Sequence, residues 1–169
     1  MTEKERESIF KEWIAQYKAL LFKVVRAYAF TAEDQDDLFQ EISIQVWKSI
    51  ASFKGEAKVS TWLYKVSLNT ALRWVKKTKS YQNNLQKIEG ELLIIDKAEP
   101  TDERLDWIYD KIAQMDKIDR SLTLLLLDGF GYKEMSEIVG IKASNVGVKI
   151  HRIKNQLIKE SKNYASHGI

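Results

Sequence analysis

The chain contains no cysteine, so disulfides and thiolate-based metal centres are excluded. Its two histidines, His151 and His167, stand outside any HExxH or paired-ligand spacing, and no metal site is expected. It has one proline and few glycines, and its β-branched residues do not alternate, which favours helices over sheets. No apolar run approaches the ~18–20 residues that cross a bilayer. The stretch Met1-Thr2-Glu3-Lys4-Glu5-Arg6-Glu7 is mixed-charge with no signal-peptide core behind it. A cytoplasmic protein without membrane insertion is therefore expected. No nucleophile–base pair, Gly-rich phosphate cradle or pocketed carboxylate pair is visible, so neither enzymatic activity nor a cofactor is expected.

The 169 residues allow one domain or two small ones, and 44% hydrophobic with 30% charged residues suits solvated helices around real cores. The net charge of +3 says less than its distribution. Residues 31–41 carry Glu33, Asp34, Asp36, Asp37 and Glu41 with no cation. Residues 54–79 are basic, 89–110 acidic, and 142–162 basic again. Two basic blocks around an acidic connector suit two contacts with one long polyanion; either block alone is open to the lesser reading of a solvated helix face, which the two together make harder to hold.

Helical spacing is clear in Phe10, Trp13, Ile14, Tyr17, Leu20, Leu21, Val24, Val25 and Tyr28. Thr31 is placed to cap a helix running to about Ile50, with Asp34 near its positive end. Ser52–Val59 reads as a loop around Gly55, and Ser60 or Thr61 is expected to cap a helix ending at Lys76-Lys77. From about 80 to 100 the periodicity fades, apart from the apolar Leu92–Ile95, and Pro100 marks a boundary. The expected fold is all-α: two small helical domains, 1–79 and 101–169, joined by a flexible linker at 80–100.

In the second domain, Leu105, Ile108, Ile112 and Met115 outline one helix, and Leu122 with Leu124–Leu127 a nearly all-buried second. Tyr132–Val139 is a short third, and Gly140 is suited to the left-handed conformation that ends it. In a fourth helix from about Ser144, Val146, Ile150, Ile153 and Leu157 face inward, while Asn145, Val148, Lys149 and Arg152 face out. This is a helix-turn-helix with a basic outer face, the arrangement that reads the major groove of duplex DNA.

The first basic block interleaves Lys58, Lys65, Arg73 and Lys76 with Trp62, Tyr64, Asn69 and Trp74. Aromatic faces and cations together suit single-stranded nucleic acid, although each tryptophan taken alone is more often a core residue than a base platform. Here the chain resembles a known family. Asp36-Asp37-Leu38-Phe39-Gln40-Glu41, Val46-Trp47-Lys48, Phe53-Lys54-Gly55-Glu56-Ala57, Ser60-Thr61-Trp62-Leu63-Tyr64 and Asn69-Thr70-Ala71 are similar to region 2 of bacterial RNA polymerase sigma factors. Gly131–Ile141 with Asn145-Val146 and Ile150-His151-Arg152 resembles region 4 of the same family. Two regions with no region 3 between them match the extracytoplasmic-function, or group IV, type of the sigma-70 superfamily.

The resemblance implies an alternative sigma factor that binds core RNA polymerase, directs it to promoters and helps melt the −10 element. It places Asp37, Leu38, Gln40, Glu41 and Trp47 near the polymerase. It places Lys58, Ser60, Thr61, Trp62, Lys65, Asn69, Arg73 and Lys76 at the −10 element, where a non-template base is flipped into a pocket lined by residues 55–60. Lys142, Ser144, Asn145, Lys149 and Arg152 fall at the duplex −35 element. Gly147-Val148-Lys149 departs from the Lys-Ser-Arg-like triplet of many members, so the −35 contacts are the least defined; Gly147 there would let backbone approach DNA. The resemblance also implies an anti-sigma partner, in this class often membrane-bound. The competing reading is a free-standing helix-turn-helix regulator with a helical partner- or ligand-binding N-terminal domain.

Overall fold

The computed structural model describes residues 1–85 and 102–167, and every regular element among them is helical. In order these are α1 (Glu3–Gln16), α2 (Lys18–Tyr28), α3 (Ala32–Ser49), a 3-10 turn (Ile50–Ser52), α4 (Val59–Leu85), α5 (Glu103–Gln114), α6 (Lys117–Leu127), α7 (Tyr132–Val139) and α8 (Ala143–His167). The chain divides into two compact units, Met1–Thr101 and Asp102–Ile169. Most of the expected linker, including Leu92–Ile95 and Pro100, lies outside the described residues.

In the first unit, Thr2 and Glu5 close a reciprocal cap on α1: the Glu5 N–H donates to Thr2 Oγ1 and the Thr2 N–H to Glu5 Oε2. The apolar stripe from Phe10 to Tyr28 is split between two helices at Tyr17 (φ −106°, ψ 16°). α1 buries no residue completely, whereas α2 buries Leu21, Val24, Val25, Ala27 and Tyr28. Thr31 caps α3 as expected, its Oγ1 accepting the Asp34 N–H at 3.1 Å. Leu38, Ile42 and Val46, four residues apart, then turn one side of α3 wholly into the core, to which α4, packed against α3, contributes Leu63, Tyr64, Leu68 and Ala71. Each such aliphatic side chain contributes about 1.5–3 kcal/mol of burial free energy.

The bounds of α4 differ from the sequence expectation at both ends. The Lys58 carbonyl accepts the Trp62 N–H at 3.0 Å, so the helix begins at Val59. Ser60 and Thr61 lie inside its first turn and do not cap it. At the other end the helix passes Lys77 and continues to Leu85. Lys76 and Lys77 are therefore mid-helix cations whose charge the helix C-terminus does not explain.

In the second unit, Asp102 and Asp116 cap α5 and α6; Asp116 Oδ1 accepts from both Ile118 and Asp119 N–H at 2.9 Å. Leu122, Leu124 and Leu125 are buried, but Leu127 is 51% exposed, so the leucine run is less enclosed than its composition suggests. Of the α5 stripe only Ile112 is fully buried, and Leu105 is largely open. Gly140 closes α7 in the left-handed conformation (φ 79°, ψ 29°), and Ser136 Oγ donates to the Ile141 carbonyl at 2.6 Å across the turn. Met135 and Ile138 of α7 and Val146, Ile150 and Ile153 of α8 complete this core.

Candidate nucleic-acid interface

A helix advances about 100° per residue, which brings Lys65, Asn69, Arg73 and Lys76 onto one side of α4, in line with Lys58 at its start. All five are exposed. Arg73 Nε donates to the Asn69 carbonyl at 3.3 Å, which leans the guanidinium back along the stripe. Asn69 sits between Lys65 and Arg73, four residues from each, with its side-chain amide open on both its donor and acceptor sides among the described residues.

The interleaved aromatics go elsewhere. Tyr64 is fully buried. Trp62 is half-buried in a three-ring cluster, 5.6 Å from Trp13 and 5.3 Å from Phe53 between centroids. Trp74 turns toward α3 and donates from Nε1 to Asp37 Oδ2 at 2.7 Å. The structure thus buries Tyr64 and engages Trp62 and Trp74 with neighbours, beside a cationic stripe with one amide in it. The Trp13–Phe53–Trp62 cluster instead props the loop before α4, which turns at Gly55 (φ 72°). Ser60 and Thr61 are partly shielded beside it.

An open groove of about 500 Å³ runs between α3 and α4, with Asp34, Asp37 and Glu41 on one wall and Arg73, Trp74 and Lys77 on the other. The residues placed near the polymerase do not form one surface. Asp37 and Glu41 line this groove, Gln40 is exposed beside them, and Leu38 is fully buried in the core. Leu38 therefore supports the helix from beneath and offers no contact of its own. Trp47 is half covered by α1: the Arg6 guanidinium lies 4.4 Å from its ring centre and Phe10 meets it edge-on at 5.4 Å. Arg6 also donates from Nε to the Trp47 carbonyl at 2.8 Å. Ile44, 45% exposed, falls on the same side of α3 as Gln40, Asp37 and Glu41 and was not singled out from sequence. An apolar residue on a polar face was the available signal.

On α8, Lys142, Ser144 and Asn145 are exposed at the helix start. Lys149 and Arg152 are both engaged by Asp119 of α6, Lys149 Nζ at 2.8 Å from Oδ1 and Arg152 Nη2 at 3.0 Å from Oδ2. The neighbouring Asp116 carboxyl is held below its usual range, chiefly by the Asp119 backbone N–H, with attraction from Lys149 and Arg152 added. The outermost line of α8 holds Val148, already expected to face out, together with His151 and Asn155. Val148 is 72% exposed, and His151 and Asn155 are joined side chain to side chain at 3.1 Å. An exposed valine at the reading end of such a helix suits the methyl group of thymine.

Gly147 faces away from this line. A Cβ built there meets the Tyr132 ring of α7 at 3.6 Å, an ordinary contact, so the position has room for a methyl group. Gly147→Ala should then stabilise the second unit by about 0.5–1 kcal/mol through helix propensity. Chemical denaturation followed by circular dichroism measures it, and a loss of stability would show that the ring cannot accommodate the methyl. Among the described residues no three His, Asp or Glu side chains gather as a metal site, and no helix is long and apolar enough to cross a membrane.

Comparison with known proteins places these features. The sigma-70 region 2 family matches residues 13–81, which covers α2, α3, the Gly55 loop and most of α4. The RNA polymerase sigma factor YlaC of Bacillus subtilis is 26% identical over 163 residues, covering 92% of this chain and 93% of its own. The ECF RNA polymerase sigma factor SigW of the same organism is 25% identical, with 91% and 89% covered. The ECF sigma-E factor of Escherichia coli K12 is 23% identical, with 92% and 87% covered. Among solved structures, the sigma factor RpoE of Bartonella quintana, in complex with the anti-sigma factor NepR, superposes with a TM-score of 0.76 at 18% identity, over 90% of this chain and 96% of its own. CnrH, in complex with the cytosolic domain of CnrY, gives 0.66 at 15% identity, over 93% and 90%.

Proposed function

Residues 13–81 of this chain are a sigma-70 region 2 domain and the chain is a homologue of the extracytoplasmic-function sigma factors, and from that premise we propose that it works as an alternative sigma factor. It binds core RNA polymerase, brings it to particular promoters and assists melting of the −10 element. The work is binding and positioning, not bond chemistry, and it takes place in the cytoplasm, where the polymerase is. Region 2 spans about 1–79 with the rest of α4, region 4 about 101–169, and 80–100 connects them.

The observation that carries the reading is one chain holding both a cation-lined helix inside the matched region 2 and a separate helix-turn-helix. Duplex DNA is held through α8 at the −35 element, by Lys142, Ser144 and Asn145 with Lys149 and Arg152 behind them. At the −10 element, flipping a base costs a few kcal/mol of stacking, which contacts in the receiving pocket must offset. Lys58, Lys65, Arg73 and Lys76 hold phosphates, the loop around Gly55 with Ser60 and Thr61 forms the pocket, Trp62 braces it from the aromatic cluster, and Asn69 reads a base edge. Polymerase docks on the outer side of α3, over Asp37, Gln40 and Glu41 and beside Trp47. An anti-sigma factor is the regulatory partner that fits, since the structurally similar sigma factor RpoE was captured in complex with the anti-sigma factor NepR.

Co-purification with core polymerase tests the premise. A one-to-one complex that survives gel filtration is expected. Absence of association would return the chain to the class of free-standing helix-turn-helix regulators.

A further inference from the structure

We propose that Asp119 sets the specificity of the DNA-reading helix by withholding charge from phosphates. The inference rests on α8 being the duplex-binding helix. Asp119 lies in the first turn of α6, where the backbone dipole favours a carboxylate, and its own N–H is tied to Asp116. Its side chain is only 13% exposed, and both oxygens point at α8 cations, one on Lys149 and one on Arg152. The two ion pairs hold the carboxylate between the cations, whereas Arg152, 63% exposed, keeps most of its five donors free.

Two consequences follow with opposite signs. Losing the carboxylate would loosen the two cations, which lowers geometrically exact contacts. It would also add about one effective positive charge to the DNA-facing end of α8, which raises every phosphate contact whatever the sequence. The second effect is the larger for non-specific DNA. With a slope of about −0.9 in log K against log salt per phosphate neutralised, one further charge is worth roughly 5- to 10-fold in affinity near 0.1 M salt. Asp119 thus keeps random duplex weakly bound, so that polymerase-delivered promoter contacts decide where the chain rests.

The test uses the full chain and a mixed-sequence duplex of roughly 30 base pairs, titrated across roughly 50–200 mM salt. Asp119→Asn should bind roughly 5- to 10-fold more tightly near 0.1 M, with a slope steeper by about one, while Asp119→Glu stays near the parent. Asp119→Ser gives the same shift should the amide variant not fold. Equal or weaker binding by the folded Asn or Ser variant, with an unchanged slope, overturns the inference while the paired substitution Lys149→Gln/Arg152→Gln still weakens binding. If that paired substitution has no effect either, α8 is not the duplex-binding helix, and the reading beneath the inference falls with it.

Discussion

Asn69→Ala should reduce open-complex formation by roughly 10- to 100-fold while leaving closed-complex affinity within about twofold, because one bidentate base contact is worth about 1–3 kcal/mol. The asymmetry comes from where Asn69 sits. It is exposed in the middle of the α4 stripe, so truncation opens no cavity and removes no buried partner. Lys65 and Arg73 remain on either side to hold phosphates, which preserves the electrostatic part of binding. The lost amide matters only once a base has left the stack, at the step that already costs a few kcal/mol. Permanganate reactivity of unpaired thymines reads opening, and a gel shift on closed duplex reads binding. An equal fall in both would make Asn69 a structural residue of the helix surface.

Leu38→Ala should destabilise the first unit by about 2–5 kcal/mol. The residue sits inside the acidic α3 segment and is fully buried between helices, so its removal leaves a cavity that α2 and α4 cannot close without moving. Against a typical total of about 5–15 kcal/mol, this removes a large part of the stability margin and lowers the melting temperature. Polymerase binding then falls in proportion to the folded fraction and recovers on cooling toward the stability maximum. Ile44→Ala should behave in the opposite way, with stability changed by no more than about 0.5 kcal/mol and affinity for core lowered about tenfold. Thermal melts set beside core-binding titrations separate the pair. Loss of affinity in a fully folded Leu38→Ala protein would mean that the polymerase reaches a residue the free structure hides.

These two side chains show which parts of the molecule were legible in the sequence. Periodicity located the core rows of α2, α3 and α8 because burial repeats locally, and Gly140 and Thr31 announced the end of α7 and the start of α3 because a left-handed turn and a cap are single-residue events. The ends of α4 were less visible. Its first hydrogen bond is accepted by the Lys58 carbonyl, which any residue could supply, and its extension to Leu85 carries no terminating glycine or proline. The destinations of the aromatics depended on partners far along the chain. Trp74 needed Asp37 and Trp62 needed Trp13. Pairing of Lys149 and Arg152 with Asp119 crosses thirty residues and no spacing rule reaches it. Charge placement on a single helix is thus readable from sequence, whereas its neutralisation by another helix is a property of the fold.

Transcription from a library of genomic fragments, with purified core polymerase in the presence and absence of this chain, tests the central claim most directly. Discrete start sites should emerge only when the chain is added, each preceded by a shared pair of sequence elements. Initiation that is scattered, or identical with core polymerase alone, would contradict the assignment of this chain as a promoter-specificity subunit.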